Sequence, residues 1–282
     1  MRFVNAILNN ATKDQLRILE PLKEGQTKIM SNKTQAAEFV DVLGISVRID
    51  YTMAGIVNEL VSRAKDRIRT DVAFVNTDCI NIAQRDHEYV SVLERKDYVL
   101  PDGIGVKIGA MFKGVKPRDN INGTDMLPVL CKEAIKHKQS VYFLGAKPGV
   151  AERMKQELLS KYPEFQIAGT HHGYFQADET ARIIEQINAS GADFLLVAFG
   201  APRQEKWLQE YGDSIQVPVR VGVGGLFDFF SGDMRRAPLW MRNLGLEWLF
   251  RLMLQPRVRF NRYVIGSPLF VVRLLIERLR SK

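Results

Sequence analysis

Two cysteines in 282 residues, Cys79 and Cys131, are too few and too far apart for a disulfide framework or a four-ligand zinc site. Histidine is nearly as scarce. His171 and His172 are adjacent, a spacing that does not present both rings to one ion, and no Cys, Asp or Glu accompanies them at ligand spacing. A hydrogen-bonding role for this pair outweighs metal binding. No apolar run reaches the ~20 residues of a bilayer crossing, and the longest, Tyr263 to Ile276, contains Pro268 and Arg273. The start lacks the basic-then-apolar plan of a secretory signal. The full G-x-G-x-x-G fingerprint, the G-x-x-x-x-G-K-[ST] loop and the G-x-S-x-G elbow are all missing, which disfavours a nicotinamide enzyme, a nucleoside triphosphatase and an α/β-hydrolase. No Asp-x-Asp pair follows a strand, as a metal-assisted transferase would use. These absences lead to the expectation of a cytosolic protein with reduced thiols, no metal and no cofactor.

Lysine is nearly missing from residues 233–282, yet the segment is strongly basic. Eleven basic side chains, ten of them arginine, face only Asp233, Glu247 and Glu277, and the balance of +8 is the whole formal net charge of the chain. Interleaved with the arginines are Trp240, Trp248, Phe250, Phe260, Tyr263 and Phe270. Guanidinium groups bind phosphate while such rings settle at headgroup level, so the expected partner is an anionic membrane or a lipid-linked phosphate. Nucleic acid is disfavoured, because no zinc-finger, helix-turn-helix or ribonucleoprotein pattern is present. The chain divides into an N-terminal extension (1–38), a Rossmann-like catalytic body (39–232), the two together carrying no net charge, and a basic amphipathic appendage (233–282) that the body is expected not to need for folding.

From Phe39 onward, short β-branched runs alternate with helical patterns, the signature of βαβ units. The expected strands are VDVLGISVRI (40–49), DVAFVN (71–76), DYVL (97–100), SVYFLG (140–145), FQIAGT (165–170), DFLLVAFG (193–200) and VRVGVGG (219–225). Helices are expected near 52–66, 78–94, 103–112, 124–138, 149–161, 178–190 and 202–211, with starts marked by Thr52, Asp178 and Pro202. The fold class is α/β and Rossmann-like, a mostly parallel sheet covered by helices, with a basic helical C-terminal piece. Ligands of such sheets bind outside the carboxyl ends of the strands.

The loops at those ends read NTD from Asn76, PDGIG from Pro101, GAKPG from Gly145, THHGY from Thr170, FGAPRQE from Phe199 and GVGGLFD from Gly222. Such turns need glycine whatever their function, so the informative residues are Asp78, Asp102, Gln204, Glu205 and Asp228, expected together on one rim. Asp102 stands out: Gly103 and Gly105 leave space above it, and a helix starts behind it. The positive helix end would favour the ionised carboxylate and hence a base ready at neutral pH. An N-cap aspartate is an equal reading.

The series DVLGISV, PDGIGV, NGTDMLP, FLGAKPGV, HHGYF, VAFGAPRQEKW, GVGGLFDFFSG and RRAPLWMRNLGLEWLFRLMLQPRVRFNRY resembles, in order and over about Val42 to Tyr263, the WecG/TagA/CpsF family of bacterial glycosyltransferases. The resemblance implies inverting, metal-independent transfer of a sugar from a UDP-sugar to an undecaprenyl-diphosphate-linked saccharide. The setting it implies is surface polysaccharide or exopolysaccharide synthesis, with the enzyme peripheral on the inner face of the cytoplasmic membrane. It implies Asp102 as general base and Gln204 in a donor site completed by Asn76, Thr77, Asp78, Asn120, Gly145, Gly173, Tyr174, Gly200, Glu205, Gly224 and Asp228. Arg235, Arg236, Arg242, Arg251, Arg257, Arg259 and Arg262 would meet the diphosphate or the membrane. Two positions depart from the pattern: Phe74 stands where many members have threonine, and Asn120 where many have arginine. Both touch the region expected to grip the donor sugar, so the sugar itself stays open, as do the acceptor saccharide, the linkage, homo-oligomer formation and the role of residues 1–38. The competing expectations are a transferase acting on a soluble acceptor and a non-catalytic nucleotide-binding scaffold at a membrane surface.

Overall fold

The computed structural model describes residues 38–280; the N-terminal extension, Glu38 apart, lies outside the described residues. The chain opens with an antiparallel hairpin of β1 (Phe39–Val42) and β2 (Ile45–Arg48), where a single strand was expected over 40–49. Leu43 and Gly44 take φ of 55° and 83°, left-handed values that suit a two-residue hairpin turn, and the Gly44 N–H donates to Asp41 at 3.1 Å. Val40, Val42, Ile45 and Val47 all point inward, as strict alternation requires.

The main sheet holds β3 (Thr70–Val75), β4 (Tyr98–Pro101), β5 (Ser140–Gly145), β6 (Gln166–His171), β7 (Phe194–Ala198) and β8 (Val219–Gly222), all parallel, in the order β4-β3-β8-β7-β5-β6. Every residue of β3 and β7 is buried, as expected of strands covered on both faces. The covering helices are α1 (Met53–Lys65), α2 (Thr77–Ala83), α3 (His87–Glu94), α4 (Ile104–Phe112), α5 (Gly123–His137), α6 (Val150–Lys161), α7 (Thr180–Ala189), α8 (Arg203–Tyr211) and α9 (Leu226–Phe230). The basic segment forms α10 (Leu239–Asn243), α11 (Glu247–Leu254), α12 (Pro256–Phe260), a π-helical turn (Asn261–Ile265) and α13 (Gly266–Arg280).

Thr52 caps α1, its hydroxyl accepting from the Gly55 N–H at 3.0 Å. The helix expected over 78–94 is two helices, because Asp86 starts a new one by accepting from the Tyr89 N–H at 3.0 Å. Asp178 lies in a 3-10 turn (Ala177–Glu179) ahead of α7, and Pro202 sits at the N-cap of α8 rather than inside it. The connection from β5 runs outward to β6, whereas that from β7 runs back to β8. The crevice between the ends of β5 and β7 is therefore a topological switch point, the usual ligand position in open α/β sheets.

Part of the basic segment belongs to the core of the body. Phe270 and Leu274, 2% and 1% exposed, pack with Val42, Val47, Ile80, Val106 and Ala110. Gly109 makes this possible: a Cβ there would lie 2.6 Å from Val42 Cγ1 and 3.4 Å from the Phe270 ring. Phe270→Ala should therefore lower the unfolding free energy by about 3–5 kcal/mol. A chain ending before Asp233 should likewise unfold at lower urea than the full chain, followed by far-UV circular dichroism, whereas the sequence alone had suggested a body indifferent to the cut.

Candidate active site

β3 and β4 pair with Val75 opposite Pro101, and the Asp102 N–H donates to the Val75 carbonyl at 2.8 Å. Asn76 and Asp102 thus leave the sheet side by side. Asn76 caps α2, its Oδ1 accepting from the N–H groups of Asp78 (3.0 Å) and Cys79 (3.2 Å). That bond turns the amide so that Nδ2 donates to Asp102 Oδ2 at 3.4 Å. The N-cap of α4 is Gly103, with no side-chain capping bond, so the capping reading of Asp102 falls.

The titration of Asp102 differs from expectation as well. Packing strips water from the carboxyl and raises its pKa above the ordinary carboxylate range, opposed by the charge of Arg251, the Asn76 hydrogen bond and Arg262, with Glu247 adding a smaller rise. Burial outweighs the helix end. The carboxylate faces a cavity of about 330 Å³. Asn76, Thr77, Asp78, Asn120 and Asn122 line it from the body, and Arg242, Glu247, Trp248, Arg251, Arg262 and Tyr263 from the basic segment. Ile104, Ile108, Phe270 and Val271 give it an apolar wall. Arg262 pairs with Asp78 at 3.5 Å, and Arg251 with Glu247 at 2.7 Å. The Arg251 guanidinium also lies 4.5 Å over the Phe229 ring.

A second cleft, of about 210 Å³, occupies the switch point between Ala146, Lys147, Gly173, Tyr174, Phe199, Arg203, Gly224 and Asp228. Gly145, the residue before Ala146, brings β5 and β7 close together: at φ 141° a Cβ there would lie 2.6 Å from the Ala198 carbonyl oxygen, an approach only glycine permits. Tyr174 stands at the mouth, 64% exposed. Burial, and then the nearby Asp233, raise the pKa of Asp228, with Arg259 and Lys147 opposing.

The five polar residues expected on one rim are thus divided. Asp78 and Asp102 face the first cavity and Asp228 the second, while Gln204 and Glu205 lie beneath the surface at 3% and 1% exposure. The cause is hydrogen bonding. Gln204 Oε1 accepts from both the Gly200 N–H (3.1 Å) and the Gly224 N–H (2.9 Å), tying the loops after β7 and β8 together, and its Nε2 donates to Glu205 at 2.7 Å. Of the expected arginines, Arg242, Arg251 and Arg262 line the first cavity, and Arg259 is half-buried with its charge felt at Asp228. Arg236 is held by Asp125 at 2.6 Å, and Arg235 and Arg257 are exposed.

Sequence reasoning missed Asn122, Lys147 and Arg203 as lining residues. Asn122 was within reach, since it caps α5 by accepting from the Asp125 N–H at 2.9 Å, and asparagine ahead of a helical pattern is a start signal. The His171 and His172 rings lie 4.6 Å apart, tilted by 42°, and the His171 ring nitrogen lies 2.8 Å from the His172 carbonyl oxygen. Among the described residues, no three His, Cys, Asp or Glu side chains gather as a metal-ligand set.

Group transfer fits such a pairing of cleft and carboxylate, because one site can hold the leaving group while the other frees the attacking oxygen of its proton. Sequence comparison narrows the class to glycosyltransferases. The chain belongs to the glycosyl transferase WecG/TagA/CpsF family, whose profile matches residues 40–282. It is 33% identical to the N-acetylglucosaminyldiphosphoundecaprenol N-acetyl-beta-D-mannosaminyltransferase of Bacillus subtilis (strain 168), over 83% of this chain and 87% of that protein. Proteins of the same name from Bacillus spizizenii (34% identity, 71% of this chain, 77% of the relative) and Staphylococcus aureus (strain NCTC 8325; 28%, 86% and 94%) are also similar.

Glu205 carries a testable consequence. Burial is the main cause that pushes its pKa up to about 7, and its Oε2 has no hydrogen-bond partner among the described residues. The folded state therefore binds the proton more tightly than the unfolded one, and stability falls as pH rises from the ordinary carboxyl range through about 7. In thermal melts, Glu205→Gln should be more stable than wild type above that pH, with the advantage shrinking as the pH is lowered.

Proposed function

We propose that the protein is an inverting transferase that moves a sugar from a UDP-sugar to a saccharide carried on a polyprenyl diphosphate, in surface-glycan assembly at the inner face of the cytoplasmic membrane. The observation that carries this reading is Asp102, oriented by Asn76 and facing a cavity walled by Arg251 and Arg262. In this reading the nucleotide occupies the switch-point cleft beside Tyr174 and Asp228, and the sugar reaches toward Asn76 and Asn120. Asp102 takes the proton of the acceptor hydroxyl as that oxygen attacks the anomeric carbon. The bond to the diphosphate breaks on the opposite face, UDP leaves with the electron pair, and the anomeric configuration inverts. A carboxyl pKa raised by burial makes a stronger base at working pH. The activity named for the relatives supports an acceptor on undecaprenyl diphosphate.

A lipid-borne acceptor also accords with the surface of the basic segment. Leu239, Trp240, Leu244, Met253, Val258 and Phe260 are exposed, Val258 at 75%, and Arg235 and Arg257 stand among them. Among the described residues no helix is long and apolar enough to cross a membrane, so the contact would be peripheral. This face favours the lipid-linked acceptor over a soluble one. Binding to anionic vesicles should weaken with salt, since each arginine near such a surface contributes about 1 kcal/mol and is screened beyond a Debye length.

The test is an incubation with a panel of UDP-sugars, UDP-N-acetylmannosamine included, and a synthetic polyprenyl-diphosphate N-acetylglucosamine, read by mass spectrometry. Asp102→Asn should lower turnover by roughly 10²–10⁴-fold with UDP affinity little changed. Near wild-type turnover in that variant would remove Asp102 from the chemistry, and UDP binding without any transfer would favour the scaffold reading.

In this mechanism the arginines take the part a divalent ion would otherwise play, offsetting the charge of the leaving diphosphate. We expect full activity in excess EDTA, and a loss of roughly tenfold or more on replacing Arg251, Arg259 or Arg262 by alanine. Activity abolished by EDTA and restored by magnesium or manganese would overturn the metal-free part of the mechanism.

A further inference from the structure

Asn81 lies one turn beyond Asp78 in α2 and is 3% exposed. Both ends of its amide bond to the basic segment. Nδ2 donates to the Gly266 carbonyl at 2.7 Å, and Oδ1 accepts from Arg273 Nη1 at 2.5 Å. A buried amide satisfied at both ends by one partner element fixes that element's position, since leaving either group unpaired costs about 1–3 kcal/mol. Gly266 sits where the π-helical turn becomes α13, between Tyr263 and Ser267, and both of those residues line the cavity.

The same short helix reaches the chemistry at its other end. Asn76 caps it and faces Asp102, and Asp78 in its first turn pairs with Arg262. Three consecutive contacts of α2, through Asn76, Asp78 and Asn81, therefore join the carboxylate to the wall of arginine and aromatic side chains above it. Arg273 meets a neutral amide here rather than a carboxylate. The bond is directional and charge-assisted on the guanidinium side, with the amide adding no opposing charge, which suits placement.

We propose that Asn81 is a positioning residue for the transfer: by holding the Gly266 carbonyl and Arg273 it sets Arg262 and Tyr263 over Asp102. The inference rests on the reading of Asp102 as the base. Its test uses the full chain with Asn81→Ala and Asn81→Asp. The aspartate keeps the contact to Arg273 but has no N–H for Gly266, so both variants should lose placement.

We expect kcat to fall by roughly tenfold or more, the scale of a misplaced charge-stabilising group, with UDP affinity by calorimetry falling by a smaller factor. The acid limb of the kcat profile should move to higher pH. Asp102 is faced by Asn76 at the end of β3, by Glu247 and Arg251 of α11 and by Arg262, and displacing Arg262 removes one of the charges that hold its pKa down. Amide exchange over 262–273 should quicken while that of β3 and β8 stays as in wild type. Should Asn81→Ala fold poorly, Arg273→Met removes one of the two bonds and should move the same profile in the same direction. An active wild type alongside Asn81→Ala with unaltered kcat and pH profile, or a variant in which UDP affinity falls as far as kcat does, overturns the role of Asn81. A wild type inactive on the whole sugar panel sinks the functional reading instead.

Discussion

The parallel pairing of β3 with β4 is the constraint on which the site depends. With Val75 opposite Pro101 and the Asp102 N–H bonded to the Val75 carbonyl, the residues that leave these two strands must emerge as neighbours. Asn76 then serves two structures with one side chain. Its oxygen starts α2 and its nitrogen faces the carboxylate, so the cap that folds the helix also orients the amide toward Asp102. No flip of that amide keeps both contacts, which fixes the assignment of its atoms.

The carboxylate is buried by residues remote in sequence, and the charges that offset its burial come from equally far away, Arg251 and Arg262 of the basic segment. Charge balance at Asp102 thus depends on how that segment packs. The segment has two faces of different character. Phe270 and Leu274 are core residues, whereas Leu239, Trp240, Val258 and Leu279 stand in solvent. These solvent-exposed apolar side chains, with arginines interleaved in the same segment, are what the proposed contact with an anionic membrane rests on.

Much of the sheet was legible because its strands are β-branched runs bounded by glycine and polar clusters, and the pattern survives without any knowledge of partners. DVAFVN and SVYFLG are examples. The hairpin was not, since VDVLGISVRI reads as one strand unless Leu43 is given a left-handed conformation that sequence does not advertise. The break between α2 and α3 was equally quiet: neither glycine nor proline marks it, and only the capping by Asp86 does. At the site, the loop carrying Asp102 could be found because chain order and sheet topology alone put it at a strand end. The inward turn of Gln204 could not, because a residue at a helix start points up or down according to neighbouring loops, here those of Gly200 and Gly224. The raised pKa of Asp102 was hidden for the same reason, its surroundings being assembled from α2, α4 and α11.

Gln204 has one more implication, for how the negative charge of the proposed donor would be met. In many nucleotide-binding folds, backbone N–H groups of glycine-rich loops form a concave nest that cradles phosphate. Here the N–H groups of Gly200 and Gly224 both turn inward to one glutamine oxygen and are withdrawn from any ligand. The loops after β7 and β8 are thereby interlocked, and in the proposed transfer the sheet contributes shape and leaves anion recognition largely to side chains. In that reading the side chains come both from the body, with Lys147 and Arg203 at the cleft, and from the basic segment, with Arg251 and Arg262 at the cavity before Asp102. The share of charge that the basic segment supplies can therefore be retuned by substitution there while the Gln204 bonds that tie the cleft loops are left in place.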